Sequence, residues 1–80
     1  MANRASLEEK KRFLLLIRQI RLEAKLRQED LAQKLGEPQS FVSRYESGER
    51  RLDVLELRRI CRVLGVPLSE FVRRLEGGQR

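Results

Sequence analysis

Apolar side chains recur at three- and four-residue spacing along most of the chain, which is the spacing of amphipathic α-helices. No segment alternates apolar and polar residues with a period of two, so no β-strand is predicted. Glycines and prolines lie where the periodic pattern breaks. The pattern predicts an all-α fold of five helices joined by tight turns, packed as one compact domain over residues 1–80. Its core is expected to span about 7–75, with a short flexible tail at each end.

The first predicted helix follows Ser6 and runs to about Lys25. Ser6 is placed to cap this helix, because Glu9 follows three residues later and completes a capping box. The inward face of the helix is predicted to comprise Phe13, Ile17, Ile20 and Ala24. Arg21 comes one position after this face and is expected to lie beside it.

Two short helices are predicted over about 28–35 and 39–47, on either side of a tight turn. Gly36 ends the first of them as a glycine just past the helix. Pro38 stands where the next one begins, because its fixed φ suits a first helical turn. The later helix is predicted to have Val42 and Tyr45 on its inward face and Ser40, Ser43, Arg44 and Ser47 on its outward face.

The fourth predicted helix begins after Asp53, which caps it in a second capping box with Glu56. Gly65 ends this helix, and Pro67 opens a fifth that runs to about Leu75. The predicted core stripe of the fourth helix comprises Val54, Leu57, Ile60, Cys61 and Leu64. The apolar residues of the fifth helix are Leu68, Phe71, Val72 and Leu75.

Basic residues outnumber acidic ones by 18 to 12, which gives a net charge of +6 and a pI of about 10.4. Such a balance favours a polyanionic partner, with nucleic acid the leading candidate. The same charge also fits the well-solvated surface of an ordinary helical protein. Charge alone leaves these two interpretations equally open.

Several classes of protein are excluded or disfavoured by what the chain lacks. It contains no histidine and one cysteine, so an intrachain disulfide, a zinc finger and a histidine-based catalytic site are all absent. No metal, cofactor or enzymatic activity is expected, and Cys61 is interpreted as a small core residue. The longest apolar run, residues 13–17, is far too short to span a membrane and follows a charged stretch. We expect a cytoplasmic protein that does not bind a membrane, and the sequence indicates no small-molecule ligand.

The most informative stretch is residues 28–47, which holds two short helices around a glycine-containing turn. In a helix-turn-helix, the first helix braces against the DNA backbone and the second presents its outward side chains to base edges in the major groove. Arginine can bond guanine at two points and glutamine can bond adenine. No glutamate lies on the outward face of the second helix, where a carboxylate would be repelled by phosphates. Glu46 is expected on the inward side, next to Val42.

Five stretches in this order, IRQIR, QEDLA, LG, QSFVSRYESG and LGV, carry a resemblance over residues 17–75. They resemble the lambda-repressor/Cro-like helix-turn-helix domain, also called the XRE family. The sequence departs from the usual family pattern at the helix caps and in the turn, at Arg27, Glu37 and Pro38. These departures bear on the geometry of the turn and not on the fold.

The resemblance implies a role for each residue that matches the family pattern. The positions that contact bases are Gln39, Ser40, Ser43 and Arg44. The positions that contact the DNA backbone are Gln28, Ser47, Arg50 and Arg51. Gln28 is also implied to support the first base-contacting side chain. Arg21 and Glu46 match a partly buried ion pair that ties the first helix to the end of the recognition helix.

The leading hypothesis is a sequence-specific transcriptional regulator that binds double-stranded DNA as a homodimer on a palindromic operator. Apolar residues beyond the needs of one small core, such as Leu15, Leu22 and Leu55, favour a dimer surface, which we place on the fifth helix and Leu55. The alternative is a protein-interaction or antitoxin-type module that uses the same fold and binds DNA only incidentally. The polar outward face of the third helix argues against this alternative.

Overall fold

The structure is a computed structural model that describes residues 4–77, with side chains from residue 6 onward. Its five α-helices are α1 (Arg4–Glu23), α2 (Gln28–Leu35), α3 (Gln39–Ser47), α4 (Val54–Leu64) and α5 (Leu68–Leu75). None of the described residues lies in a β-strand. The predicted all-α fold of five helices is therefore confirmed.

The start of α1 differs from the prediction. The helix begins at Arg4, so Ser6 lies inside the first turn and is not its N-cap. A capping serine needs an extended backbone outside the helix, whereas the residues before Ser6 are already helical; arginine and alanine both favour that conformation. The predicted N-terminal tail is shortened accordingly, and residues 1–3 and 78–80 of the two predicted tails lie outside the described residues.

The end of α1 also comes earlier than predicted. Lys25 adopts a φ of 61°, a left-handed conformation that stops the helix, and Leu26 N–H then bonds back to the Arg21 carbonyl at 3.3 Å. Ala24, predicted to face the core, lies beyond the last helical residue and is exposed. Helical spacing no longer places a residue on the inner face once the helix has ended.

The helix-turn-helix itself is formed by α2 and α3. Gly36 takes the left-handed conformation with φ 70°, and the next amide, of Glu37, bonds to the Ala32 carbonyl at 2.9 Å. Pro38 then occupies the N-cap of α3 with an extended ψ of 155°. The atypical cap and turn residues therefore still produce two helices around a short turn.

The fourth helix is capped as predicted. Glu56 N–H donates to the Asp53 carboxylate at 2.8 Å, and Asp53 N–H donates to the Glu56 carboxylate at 2.9 Å. Val54, however, was placed in the core stripe of this helix and is 63% exposed. It shares the angular position of Cys61, but it sits in the first turn, whereas the buried residues of α4, Ile60 and Cys61, lie two turns further on.

A single core joins all five helices, because each contributes at least one buried apolar residue. The buried residues are Leu16, Ile17, Ile20, Leu31, Ala32, Leu35, Val42, Tyr45, Ile60, Cys61 and Phe71. Phe13 on α1 meets Phe71 on α5 edge to face, with ring centroids 5.7 Å apart. Within residues 4–77, no helix is both long and apolar enough to span a bilayer.

Candidate nucleic-acid interface

The two sides of α3 differ sharply in burial. Val42 and Tyr45 are fully buried against the rest of the core. The opposite side carries the exposed side chains of Gln39, Ser40, Arg44 and Ser47, and Ser43 is half-buried beside them. The nine-residue helix therefore presents one polar, solvent-facing strip without a carboxylate.

The serine hydroxyls on this strip are already oriented by the helix. Ser43 Oγ donates to the Ser40 carbonyl at 3.3 Å, and Ser47 Oγ donates to the Arg44 carbonyl at 3.0 Å. The proton of each hydroxyl is thus used within the helix, so each oxygen can meet a ligand only as an acceptor. Ser47 Oγ already accepts one hydrogen bond, from Glu49 N–H at 3.4 Å. Arg44 has no ion pair among the described residues, so its guanidinium is available to a ligand.

A buried ion pair positions the recognition helix against α1. Arg21 Nε lies 2.6 Å from Glu46 Oε2 and Arg21 Nη2 lies 2.9 Å from Glu46 Oε1, with only 7% and 5% of the two side chains exposed. Arg21 Nη1 also donates to the Leu26 carbonyl at 2.8 Å. The hydrogen bonds that Arg21 donates to Glu46 raise the pKa of Arg21, while burial opposes that shift. The planar guanidinium thus fixes α3 to α1 at two points.

This ion pair continues outward to the first side chain of α3. Gln28 Nε2 donates to Glu46 Oε1 at 3.0 Å, and Gln39 Nε2 donates to Gln28 Oε1 at 3.2 Å. Arg21, Glu46, Gln28 and Gln39 therefore form one hydrogen-bonded chain from the interior to the surface. The chain leaves the amide oxygen and one N–H of Gln39 free for an outside partner.

The two loop arginines after α3 differ in their surroundings. Arg50 binds Glu56 through Nη1 at 3.2 Å and Nη2 at 2.9 Å, and its guanidinium carbon lies 4.8 Å from the centroid of the Phe41 ring. The same bonds hold the pKa of Glu56 below its usual range. Arg51 is exposed and has no ion pair among the described residues. The loop therefore holds one arginine engaged by protein groups and one open to solvent.

The structure brings together most residues that the sequence singled out, and it adds contacts that sequence reasoning missed. Phe41 packs edge to face on Tyr45, with ring centroids 5.4 Å apart. Its stacking with Arg50 was not foreseen. Lys10 was also missed, although its Nζ lies only 3.9 Å from the position of a Cβ built on Gly48. The contacts of Phe41 with Arg50 and of Lys10 with Gly48 join different elements of the fold, and no periodic signal in the sequence indicates them.

These features define a class of protein. Two short helices around a glycine turn, with a rigidly held second helix that exposes a polar face, form a DNA-binding helix-turn-helix. Residues 17–71 match the sequence model of the family described as Helix-turn-helix. Within residues 4–77, no group of three histidine, cysteine, aspartate or glutamate side chains is arranged to hold a metal ion.

Similarity to a solved structure supports the same conclusion. The XRE-family like protein from Pseudomonas syringae pv. tomato str. DC3000 is 35% identical, with a TM-score of 0.78 over 99% of this chain and 100% of that one. Comparison with curated protein sequences gives no match. The chain belongs to the XRE family of helix-turn-helix proteins. It is thus a DNA-binding regulator of a generally non-enzymatic class.

Proposed function

We propose that the protein is a sequence-specific transcriptional regulator that places α3 in the major groove of duplex DNA. The observation that carries this proposal is the outward strip of α3, which is polar and free of carboxylates. The strip is held in place by the series of side-chain hydrogen bonds that runs from Arg21 through Glu46 and Gln28 to Gln39. A helix that reads bases needs its donors and acceptors fixed before binding, because ordering them on the DNA costs affinity.

Direct contacts with base edges are assigned to Gln39, Ser40, Ser43 and Arg44. The Arg44 guanidinium suits the O6 and N7 atoms of guanine, and the free amide groups of Gln39 suit adenine. The small serine side chains allow the helix to approach the groove floor closely.

Contacts with the DNA backbone are assigned to Gln28, Ser47, Arg50 and Arg51. Arg51 is exposed and free of ion pairs within residues 4–77, which favours a direct phosphate contact. Arg50 keeps 40% of its side chain exposed while bound to Glu56, so it combines a structural role with a phosphate contact. Contacts of this kind position the protein without reading sequence.

We assign a homodimer on a palindromic operator, acting in the cytoplasm, as the functional form. One recognition helix covers only a few base pairs, which discriminates poorly among the many sites of a genome. Exposed apolar side chains for a second copy are present on α4 and α5, at Val54, Leu55 and Val72. A two-fold dimer doubles the sequence that is read and makes the operator mirror its symmetry.

Selection of bound fragments from a random duplex library tests this proposal most directly. The expected result is a motif of two inverted half-sites whose centres lie about 34 Å apart along the DNA. Binding is also expected to weaken steeply as salt rises, because phosphate contacts release counterions. If no duplex is enriched and none binds at low salt, DNA recognition is refuted and the protein-interaction module is favoured.

A further inference from the structure

The N-terminal half of α1 and the loop after α3 enclose a cleft of about 340 Å³. Lys10 lies on the α1 side, and Arg50 and Arg51 lie on the loop side. The half-buried apolar residues Phe13, Leu14 and Leu52 line it between them. No carboxylate lines this cleft, whereas the two other clefts described on the molecule each include at least one glutamate.

The three basic side chains of this cleft differ in whether they form an ion pair with the protein. Arg50 is bound to Glu56, but Lys10 and Arg51 are exposed and have no ion pair within residues 4–77. Two unpaired positive charges that line one cleft attract an anion. An anion that binds between them would be held by both charges at once.

The cleft lies at the end of the recognition helix. It includes Gly48, whose left-handed conformation ends α3 and whose lack of a side chain admits Lys10 and Leu14. A Cβ on Gly48 would lie 3.1 Å from Leu14 Cδ1. The anion site is therefore next to Ser47 and the loop, where the proposed function already places the DNA backbone.

We propose that this cleft binds a backbone phosphate of the DNA, with Lys10 as a phosphate ligand opposite Arg51. The inference rests on the proposed function and extends the DNA contact surface from the helix-turn-helix to the N-terminal half of α1. The apolar residues of the cleft fit the adjoining deoxyribose, which presents carbon atoms next to the phosphate.

A purely structural role for Lys10 is the main competing explanation. A lysine near a helix C-terminus also stabilises the helix dipole. The Arg44 and Tyr45 carbonyls at the end of α3 are already bonded, however. Glu49 N–H and Arg50 N–H donate to the Arg44 carbonyl at 3.0 and 3.2 Å, and Gly48 N–H donates to the Tyr45 carbonyl at 3.3 Å. A structural role would change thermal stability and leave the salt dependence of DNA binding unaltered.

The experiment compares Lys10→Gln with Lys11→Gln on the selected duplex. Lys11 is a matched control, because it is also exposed but lines the cleft on another side of α1. Each phosphate contact contributes about 0.9 to the slope of log affinity against log salt. Lys10→Gln should make that slope shallower by about one for each bound protein chain. The wild type therefore binds more tightly than Lys10→Gln at low salt, and this ratio of affinities should shrink about three- to fourfold when the salt concentration rises fourfold. Lys11→Gln and the charge-preserving Lys10→Arg should keep the wild-type slope.

Methylphosphonate substitution of single phosphates then locates the contact. One neutralised phosphate should weaken wild-type binding more than it weakens the binding of Lys10→Gln, which keeps only the Arg51 contact to that phosphate. If wild type binds the duplex and Lys10→Gln matches it in slope, this inference is overturned while the proposed function stands. If wild type binds no duplex, both are overturned. Unfolding curves of all variants, expected to coincide, establish that each is folded.

Discussion

Arg21 on α1 and Glu46 on α3 form a buried two-point ion pair, 25 residues apart in sequence. The pair fills both oxygens of the carboxylate, and one of them also accepts from Gln28. It therefore connects the packing of α1 to the orientation of the recognition helix. Substitutions of Arg21 and Glu46 test its contribution to folding, and substitution of Gln28 tests its contribution to DNA binding.

Removal of one partner of this pair should be strongly destabilising. Arg21→Met or Glu46→Gln leaves the other member buried without its counter-charge, and each should lower the free energy of unfolding by about 3 kcal/mol or more. The double variant should lose less than the sum, with a coupling of about 0.5–3 kcal/mol. Urea denaturation of the four proteins measures this cycle. Strictly additive losses would contradict an energetic coupling between the two side chains.

Gln28 should matter more for DNA binding than for folding. Gln28→Ala removes one hydrogen bond to Glu46 and one to Gln39, and the fold should lose only about 1 kcal/mol. Because Gln39 is then free to rotate and the backbone contact assigned to Gln28 is lost, affinity for the selected operator should fall by about fivefold. Gln33→Ala is the matched control, since Gln33 is an exposed glutamine on the same helix. Equal losses of DNA affinity from the two substitutions would show that the hydrogen bonds of Gln28 do not position Gln39.

Arg44 should contribute to sequence preference. Arg44→Ala should cost about 1–3 kcal/mol on the selected operator, relax the preference at one base position and affect random duplex much less. Arg62 on α4 is an exposed arginine with no ion pair among the described residues, and Arg62→Ala is the control expected to bind like wild type. Competition binding with operator and random duplex distinguishes the two. An equal loss on both duplexes would assign Arg44 to the backbone and not to a base.

The proposed dimer surface can be tested with two leucines of equal exposure. Leu55 on α4 and Leu15 on α1 are each 68% exposed. Leu55→Glu should disrupt self-association, because it introduces a charge into the proposed apolar interface, whereas Leu15→Glu should leave it intact. Sedimentation at micromolar protein, with and without operator, measures the assembly. Dissociation by Leu15→Glu alone would move the interface to α1.

Between about pH 3 and 8, the free energy of unfolding should depend on pH only at the acidic end. Bonds from Arg50, and then from the Asp53 amide, lower the pKa of Glu56 in the folded state relative to its ordinary value of 4.5. As the pH falls, the unfolded chain therefore binds the proton first, so this contribution is present above about pH 4.5 and is lost as the pH falls through the folded pKa. The lowered pKa values of Glu23, Asp30 and Glu70 act in the same direction.

Thermal melting between about pH 3 and 8 measures this dependence. Tm should be nearly flat from about pH 6 to 8, because the chain has no histidine and burial raises the pKa of Cys61 to about 11. Glu56→Gln should show a shallower acid decline than wild type. Glu76→Gln, which changes an exposed carboxylate with no ion pair among residues 4–77, should follow the wild-type curve. A wild-type Tm that rises on acidification would contradict the assigned direction.

Helix bounds were largely predictable from the sequence, and their failures have a common cause. The bounds of α2 and α3 and the Asp53 cap of α4 follow from local signals, namely a glycine, a proline and a capping box. The end of α1 carries no glycine, and Lys25 adopts the left-handed conformation there. The cap predicted at Ser6 failed because an internal serine carries the same local pattern as a true N-cap.

The composition of the core was less predictable than the helices. Helical spacing assigns a residue to an angular position, and it correctly placed Ile17, Ile20 and Tyr45 inside. Helical spacing does not indicate over what length of a helix the other helices pack against it. Val54 is therefore exposed although it shares a face with Cys61, and Leu16 is buried although it was not assigned to the inner face of α1.

The sequence by itself determined the five helices, the turn at Gly36 and the polar face of α3, because each depends on residues close together in the chain. The tertiary structure alone decided which charges are engaged and which are free. Arg50 and Arg51 are adjacent and chemically identical, yet packing of α4 brings Glu56 to Arg50 only. Likewise, only the crossing of α1 past the end of α3 brings Lys10 to Gly48, 38 residues away. Such contacts depend on how the helices pack, which local patterns do not encode.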